Sequence, residues 1–541
     1  MTRLFFFLLL VFSLFRCAQI TPLEGGEKDI TPPQLDTLHS SPLGATHYHP
    51  KEIKLSFNEW VRLNNVFKNV LVSPPLAKRP KITLKRKTVV FEFDKDEVLK
   101  DNTTYSINFG SAIVDLTEAN PAKGLTYVFS TGDAIDSLTV TGKVVDAYTH
   151  KPVENVNVML YASDGDSVVY QEKPYYLGIS DKTGQFAIHH VRAGQYKAFA
   201  LKDQDFNYLF SQPDEPIGFL SKRLTVSDTT PPLTFRLSPE RLPLKLKGVK
   251  NIANGVKLLE FNRTPLAPDF QPEHVQAFKY LEKGDSIKIW YSGVDTTSKL
   301  IILSEKKAVD TISLRPKSRL PSIRSIHCQA LAGKKGTLSA MPNHPVSIEF
   351  NLPVKSWNDS LIILSKDSLT DKLPTTIQIS PKNPKVLQIG FPWQEKSTYR
   401  LTIFPKGIRA LNDHFLEDTL AQKITPISKE DLGNIQLTIQ PPDSTKQYVL
   451  RLLTKGQEKQ MEILPKGKKQ VVEWKLLPPG DYSLELIEDD NQNGVWDPGN
   501  YLHAQQPERI FVKSLDKLRA NWDLEVIWTP TKMGQAPEKK S

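Results

Sequence analysis

The sequence predicts an all-β chain made of tandem β-sandwich domains, and three observations predict it. Short apolar runs alternate with polar residues, turn residues and proline recur between the runs, and two stretches return later in the same order. The alternation is plainest early in the chain. Ile53, Leu55 and Phe57 interleave with Lys54 and Ser56, and Val89, Phe91 and Phe93 interleave with Val90 and Glu92. Tyr105, Ile107 and Phe109 interleave with Ser106 and Asn108. Side chains two apart in a strand share a face, so each segment offers one apolar face that a second sheet must cover. The chain has 40 prolines against 5 methionines, which suits short strands between turns better than long helices. Asp101-Asn102 ahead of Thr103 is one such turn signal. At 541 residues, length alone predicts about three to five domains. A hydrophobic content of 39% with 24% charged residues describes globular modules and not a disordered chain.

Reading along the chain assigns these modules. Residues 32–134 carry FNEWV at 57–61, NTTYSINFG at 102–110 and YVFSTGD at 127–133. Together these strings resemble the bacterial Ig-like domain family of surface-layer and cell-envelope proteins. Residues 135–239 carry GKVVDAYTHKPVENVNVML at 142–160 and SDKTGQFAIHHVRAGQYKAFAL at 180–201. This stretch resembles the carboxypeptidase regulatory-like, transthyretin-type β-sandwich. The resemblance implies a companion domain without catalytic zinc. Its letters also read physically. Asp181-Lys182-Thr183-Gly184 is a turn with glycine where a positive φ is cheap. Phe186 and Ile188 then face a core, Ala193-Gly194 turns again, and Tyr196, Ala198 and Ala200 return to it.

The repeats organise the rest. FNLPV at 350–354 echoes FNEWV, and STYRLTIFPKGIRALND at 397–413 echoes TTYSINFGSAIVDLTE at 103–118. PPGDYSLELIEDDNQN at 478–493 echoes RAGQYKAFALKDQDFN at 192–207, with Gly480 to Asp489 spaced as Gly194 to Asp203. Residues 319–428 are therefore expected to be a second, diverged Ig-like domain, and 429–530 a second transthyretin-like sandwich. Between them, 240–318 reads as a β domain of no named family. The segment 531–541 reads as a polar tail.

The N-terminus reads as an export leader. Arg3 is followed by an apolar run, Leu4 to Phe15, broken only by Ser13. That run is shorter than the ~20 residues a spanning helix needs, and it has the layout of a cleavable signal. It ends at Leu14-Phe15-Arg16-Cys17, which resembles a bacterial lipobox with Leu14 three before the cysteine. Arg16 stands where that pattern carries a small residue. An ordinary signal peptide with an incidental cysteine is the alternative. The next residues, 18–33, are polar and carry Gly25-Gly26 and three prolines, the composition of a tether, which is assigned to 18–31. The order Cys-Ala, Gly-Gly, Lys-Asp, Thr-Pro-Pro resembles the start of Bacteroidota-type outer-membrane lipoproteins. That resemblance implies a signal peptide over 1–17, lipid on Cys17, and a place in the cell envelope at the outer membrane.

The formal net charge of +10 is spread over small clusters such as Lys85-Arg86-Lys87. With an export leader, the expectation is a membrane held through lipid and a protein or glycan partner, and no nucleic acid. The chain has only 2 cysteines. With Cys17 lipidated, Cys328 has no partner for an intramolecular disulfide. It is expected to act as a small hydrophobe, since His327-Cys328 lacks metal-site spacing.

One stretch has the layout of a cation loop. In DDNQNGVWDPGNY at 489–501, Asp489, Asn491, Asn493 and Gly494 fall at positions 1, 3, 5 and 6 of a Ca²⁺ loop of EF-hand type, and Asp497 at position 9. Position 12 is Asn500 where a bidentate Glu is expected. Two readings stand, a Ca²⁺ site on Asp489, Asn491, Asn493 and Asp497, or an Asx-rich turn closed by its own hydrogen bonds. The first copy, Asp203 to Tyr208, keeps oxygens but has no glycine. His47-X-His49 could share a strand face, though no third ligand is near in sequence, and a solvated loop is the plainer reading. His189 and His190 are adjacent, so in a strand they point apart. Trp60 is expected to pack at a sandwich edge, with Trp60 and Tyr175-Tyr176 also read as aromatics open to sugar or protein.

No nucleophile elbow, zinc helix or phosphate loop occurs. The expected function is thus a non-enzymatic, lipid-anchored envelope protein whose sandwiches scaffold or bind partners. The alternative is a Ca²⁺-dependent adhesion or glycan-binding surface protein.

Overall fold

The structure, a computed structural model, describes residues 30–530 apart from 123, 213, 317–319, 332–336 and 367–370. Cys17, most of the tether and the 531–541 tail lie outside the described residues. Its regular structure is nearly all strand. It divides into two compact units, Met1–Leu237 and Ser238–Ser541.

The first unit holds two sandwiches. The first is built of β1 (Leu35–Asp36), β2 (Glu52–Phe57), β3 (Val61–Leu63), β4 (Leu71–Ser73), β5 (Lys81–Lys85), β6 (Thr88–Glu92), β7 (Thr104–Asn108), β8 (Ile113–Asp115) and β9 (Thr126–Ser130). One sheet runs β1-β2-β6-β5, a second β4-β7-β9, and β3 pairs with β8 in a short ribbon. Ile53, Leu55 and Phe91 from the first sheet meet Tyr105, Ile107 and Phe129 from the second in one buried core. Val90, which alternation puts on the outer face, is buried as well. It lies on the central strand between its cross-strand neighbours Lys54 and Thr83, whose side chains flank it on that face.

The second sandwich contains β10 (Leu138–Asp146), β11 (Asn157–Tyr161), β12 (Tyr176–Ile179), β13 (Gln185–Val191), β14 (Gly194–Leu201), β15 (Ile217–Phe219), β16 (Leu224–Val226) and β17 (Leu233–Leu237). Its sheets run β13-β10-β17 and β12-β11-β14-β15, with β16 also on β14. β10 and β17, its first and last strands, pair in parallel. Phe186, Ile188, Tyr196, Ala198 and Ala200 all enter the core. Gly184 holds φ 75° in the turn that Asp181 closes by accepting from Thr183 and Gln185 N–H. The two sandwiches are joined by polar bonds. Leu177 N–H donates to Ser73 Oγ at 3.0 Å, and Arg192 pairs with Asp136 at 3.1 Å and donates to the Asn102 carbonyl at 2.9 Å.

The second unit holds three. The third module pairs β18 (Leu246–Ala253), β19 (Val256–Phe261), β21 (Ala277–Lys283) and β22 (Ser286–Ser292) in the order β18-β19-β22-β21. Against them stands β20-β23-β24, formed by β20 (Pro268–Pro272), β23 (Ser298–Ser304) and β24 (Lys307–Leu314). It is a β-sandwich with its own core around Leu259, Ile289 and Leu300.

The fourth module comprises β25 (Cys328–Leu331), β26 (Thr337–Ala340), β27 (Val346–Phe350), β28 (Val354–Trp357), β29 (Ile362–Lys366), β30 (Thr376–Ile379), β31 (Val386–Gly390), β32 (Tyr399–Ile403), β33 (Ile408–Ala410) and β34 (Leu420–Pro426). Its sheets β25-β27-β31-β30 and β26-β34-β32-β29 with the ribbon β28-β33 repeat the first module strand for strand, plus β26. Even β26 has a forerunner, because residues 44–48 of the first module bond along β9 without forming a regular strand.

The fifth module holds β35 (Gly433–Ile439), β36 (Gln447–Thr454), β37 (Gln457–Leu464), β38 (Gln470–Leu477), β39 (Ser483–Asp489), β40 (Ile510–Ser514) and β41 (Asp523–Trp528). Its orders β38-β35-β41 and β37-β36-β39-β40 match the second module, including a parallel first-to-last pair, β35 with β41. The sequence repeats are thus repeats of strand order. Among the described residues no helix is long and apolar enough to cross a membrane.

Candidate functional site

The loop leaving β39 gathers three buried carboxylates, Asp489, Asp497 and Glu508. Asp489 ends the strand fully buried, so its carboxylate must be paired within the protein. It accepts from the N–H groups of Asn493 and Gly494, both at 3.0 Å, and from Gln447 Nε2 at 3.1 Å. Gly494 takes φ 77° and Gln492 φ 61°, which wraps the loop around that carboxylate. Asp497 is buried too. Its Oδ2 takes the Asn493 amide at 2.7 Å and the Asn491 amide, and its Oδ1 faces the Arg241 guanidinium.

Underneath lies Glu508, 2% exposed, accepting from Asp490 N–H and Asp497 N–H at 2.9 Å each. Burial, reinforced by the nearby Asp497 and Asp489 carboxylates, pushes its carboxyl up to about 7 against those two N–H donors. The loop also reaches the segment that opens the unit. Gly499 N–H donates to Ser238 Oγ, and Tyr501 N–H donates to Glu240.

The four residues that the sequence singled out, Asp489, Asn491, Asn493 and Asp497, are therefore brought together. Asn500 is not among them, because its backbone pairs with Gln505. Arg241 and Glu508 were missed. Arg241 is remote in sequence and gives no local signal. Glu508 had one, since Gln506-Pro507-Glu508 has a counterpart in Gln212-Pro213-Asp214-Glu215 of the second module.

That counterpart is structural as well. Asp203 accepts from Phe206 and Tyr208 N–H, as Asp489 does from Asn493 and Gly494. Glu215 accepts from Gln204 N–H, as Glu508 does from Asp490. Phe206 and Tyr208 hold φ 59° and 64° where Gln492 and Gly494 stand in the later loop. The missing glycine thus leaves the first loop with the same backbone, at the cost of a strained tyrosine. Asp203, Asp205 and Glu215 bring carboxylate oxygens within 4.8 Å of one another. Burial pushes Asp203 up, and a hydrogen bond between the Asp203 and Asp205 carboxyls raises Asp203 while lowering Asp205.

The other candidates disperse. His47 pairs with Asp133 at 3.0 Å on the surface, and His49 takes no part in that pair. His189 Nδ1 meets Thr139 Oγ1 and His190 Nδ1 meets the Asp136 carbonyl, so the two rings serve different partners. Cys328 forms no disulfide among the described residues and is partly buried against the fourth module's core. Tyr175-Tyr176 is not an open aromatic surface. Tyr175 OH bonds Thr103 Oγ1 at 2.9 Å in the joint between the first two modules, and Tyr176 is buried in the core. Trp60, expected to pack at a sandwich edge, is 54% exposed beside Leu116, whose N–H donates to the Trp60 carbonyl. The exposure follows from its place just before β3, whose Val61 turns into the module's core and so leaves the neighbouring Trp60 on the opposite, outer face.

Comparison with known proteins adds one family. Residues 29–131 match the bacterial Ig-like domain family. No curated protein matches the chain. Among solved structures, the chain is similar to the I9–I11 tandem of titin, with 11% identity over 54% of this chain and 94% of that one at a TM-score of 0.13. It is similar to BcpA, the major pilin subunit of Bacillus cereus, with 11% identity over 73% of this chain and 100% of that one at a TM-score of 0.15. Domains 1–6 of the surface layer protein SbsC give 10% identity over 91% of this chain and 68% of that one at 0.14.

Proposed function

We propose that this protein is a non-enzymatic lipoprotein of the cell envelope, held at the outer membrane by lipid on Cys17, whose tandem sandwiches serve as a scaffold and bind protein or glycan. The observation that carries this reading is the duplication itself. A pair of sandwiches occurs twice with the same strand orders, and both copies of its polar loop are closed on themselves by a buried glutamate. Repeated sandwiches of this kind give length and surface, and what they do depends on where they are held. The match of 29–131 to a bacterial Ig-like domain supports the same reading.

The test is in the host. Labelled fatty acid should enter the wild-type chain, and Cys17→Ala should abolish the label and move the protein out of the membrane fraction. An unlabelled wild type, or a Cys17→Ala variant that stays equally membrane-bound, would sink the anchor.

A second reading, a Ca²⁺-dependent adhesion or glycan-binding protein, is supported by the convergence of Asp489, Asn491, Asn493 and Asp497. It requires both asparagine amides to turn their oxygens inward and Arg241 to yield Asp497 to the cation. On this reading, calorimetric titration with Ca²⁺ gives heat and a higher melting temperature, and both disappear in Asp489→Ala. Absence of heat and of any shift would leave the Asx-rich turn as the whole role of the loop.

A further inference from the structure

The two Ig-like copies differ most where their β-ribbons meet the surface. In the fourth module, Leu352, Pro353 and Leu411 at the base of the β28-β33 ribbon are buried, with Leu352 3% and Leu411 5% exposed. The third module packs at this place. Ala253, Val256 and Trp290 from its hairpin ends join one apolar cluster with Leu352 and Leu411, and Ser292 Oγ donates to the Leu411 carbonyl at 3.0 Å.

The strand pairing fixes the equivalents in the first module. Val61 pairs with Asp115 as Val354 pairs with Ala410, so Trp60 stands for Pro353 and Leu116 for Leu411. The backbone bond is the same, Leu116 N–H to the Trp60 carbonyl and Leu411 N–H to the Pro353 carbonyl. The side chains differ, with Glu59 standing for Leu352 and Trp60 for Pro353, and so does the burial. Trp60 is 54% and Leu116 55% exposed.

We propose that the Trp60–Leu116 face of the first module is a docking site for the hairpin end of a β-sandwich module in another polypeptide. The fourth module shows what fits such a face, an apolar hairpin end with an aromatic ring and a hydroxyl donor. A second copy of this chain is disfavoured, because its matching surface, around Trp290 and Ser292, is already seated on its own fourth module. Tryptophan beside leucine also suits the centre of an interface, where a large ring contributes most once water is excluded. The inference deepens the scaffold reading and rests on it for what the partner is: a component of the same envelope.

The test places a photo-crosslinking p-benzoylphenylalanine at Leu116 in the full chain, in host membranes. The expected result is one dominant adduct with another protein, its cross-linked peptide lying in a loop or hairpin end of a β-sandwich, and at least a tenfold loss of that adduct in Trp60→Ser. Adducts with lipid, with a second copy, with residues 1–29 of the same chain, or none at all, would overturn the proposal. Purified Trp60→Ser should keep the wild-type melting temperature. A fall would assign Trp60 to the module's own fold and also overturn it. Fractionation of the same membranes separates this proposal from the anchor. An anchored chain without the adduct loses the dock alone, and an unanchored chain that still gives it loses the lipid alone.

Discussion

Phe129→Ala is expected to destabilise the first module by about 3–5 kcal/mol, the range for emptying an aromatic site in a close-packed core. Phe129 is fully buried on β9 and is the hub of the module's aromatic core. Its ring stacks on Tyr105 at 5.3 Å and 11°, and meets Tyr48 at 5.8 Å, Tyr127 at 6.1 Å and Phe93 at 6.4 Å. Four rings would lose a neighbour at once, and interiors this dense relax only partly into a void. The measurement is denaturant unfolding with hydrogen exchange over β2, β6 and β7. A loss below about 1 kcal/mol would mean that the rings collapse into the gap, contrary to this account.

Gly142→Val is expected to cost at least ~3 kcal/mol, the upper end for overpacking, and to detach β17 from β10. β10 is the central strand of its sheet, with Gly142 set against Phe186 on one side and Leu233 on the other. A Cβ there would lie 2.3 Å from the Leu233 carbonyl oxygen, 2.8 Å from its nitrogen and 2.8 Å from Phe186 Cζ. Two of these atoms are backbone and cannot rotate away. The control is Gly165→Ala in the same module, where the nearest atom is Val168 Cγ1 at 3.6 Å and stability should hold. If Gly142→Val unfolds with the wild-type midpoint, the close approach of β17 to β10 does not hold in solution.

Legibility in the sequence followed exposure. Strands with one wet face, such as β2 and β7, show period-two alternation because burial selects every second residue. β37 is the opposite case. Its Gln457–Leu464 has five polar residues of eight and exposes Met461 and Ile463, since it is an edge strand with little core to face, and the sign of its ladder with β36 is the Lys455-Gly456 turn, φ 50° and 73°. The candidate loop was half legible. Its Asx residues carry a spacing that sequence can display, but the ion pair of Asp497 with Arg241 joins residues brought together only by the fold of the whole second unit. The exposure of Trp60 was half legible too. The sequence allowed a tryptophan packed at a sandwich edge or one open to a partner, and only the fold, with the buried counterpart at Pro353, decides between them.

The parallel pairing of first and last strands has a mechanical meaning. In the second module, β10 enters and β17 leaves side by side in the same direction, joined by a ladder from Gly142–Leu233 to Asp146–Leu237. Tension applied at the two ends of such a module slides these strands past each other, so the ladder bonds share the force together instead of opening one by one like a zipper. The fifth module repeats the arrangement from Asn434–Asp523 to Ile439–Trp528. Resistance to pulling is governed by the rate of unfolding and not by equilibrium stability. A chain without a disulfide among its described residues thus has, in each of these two modules, a shear clamp made only of backbone hydrogen bonds.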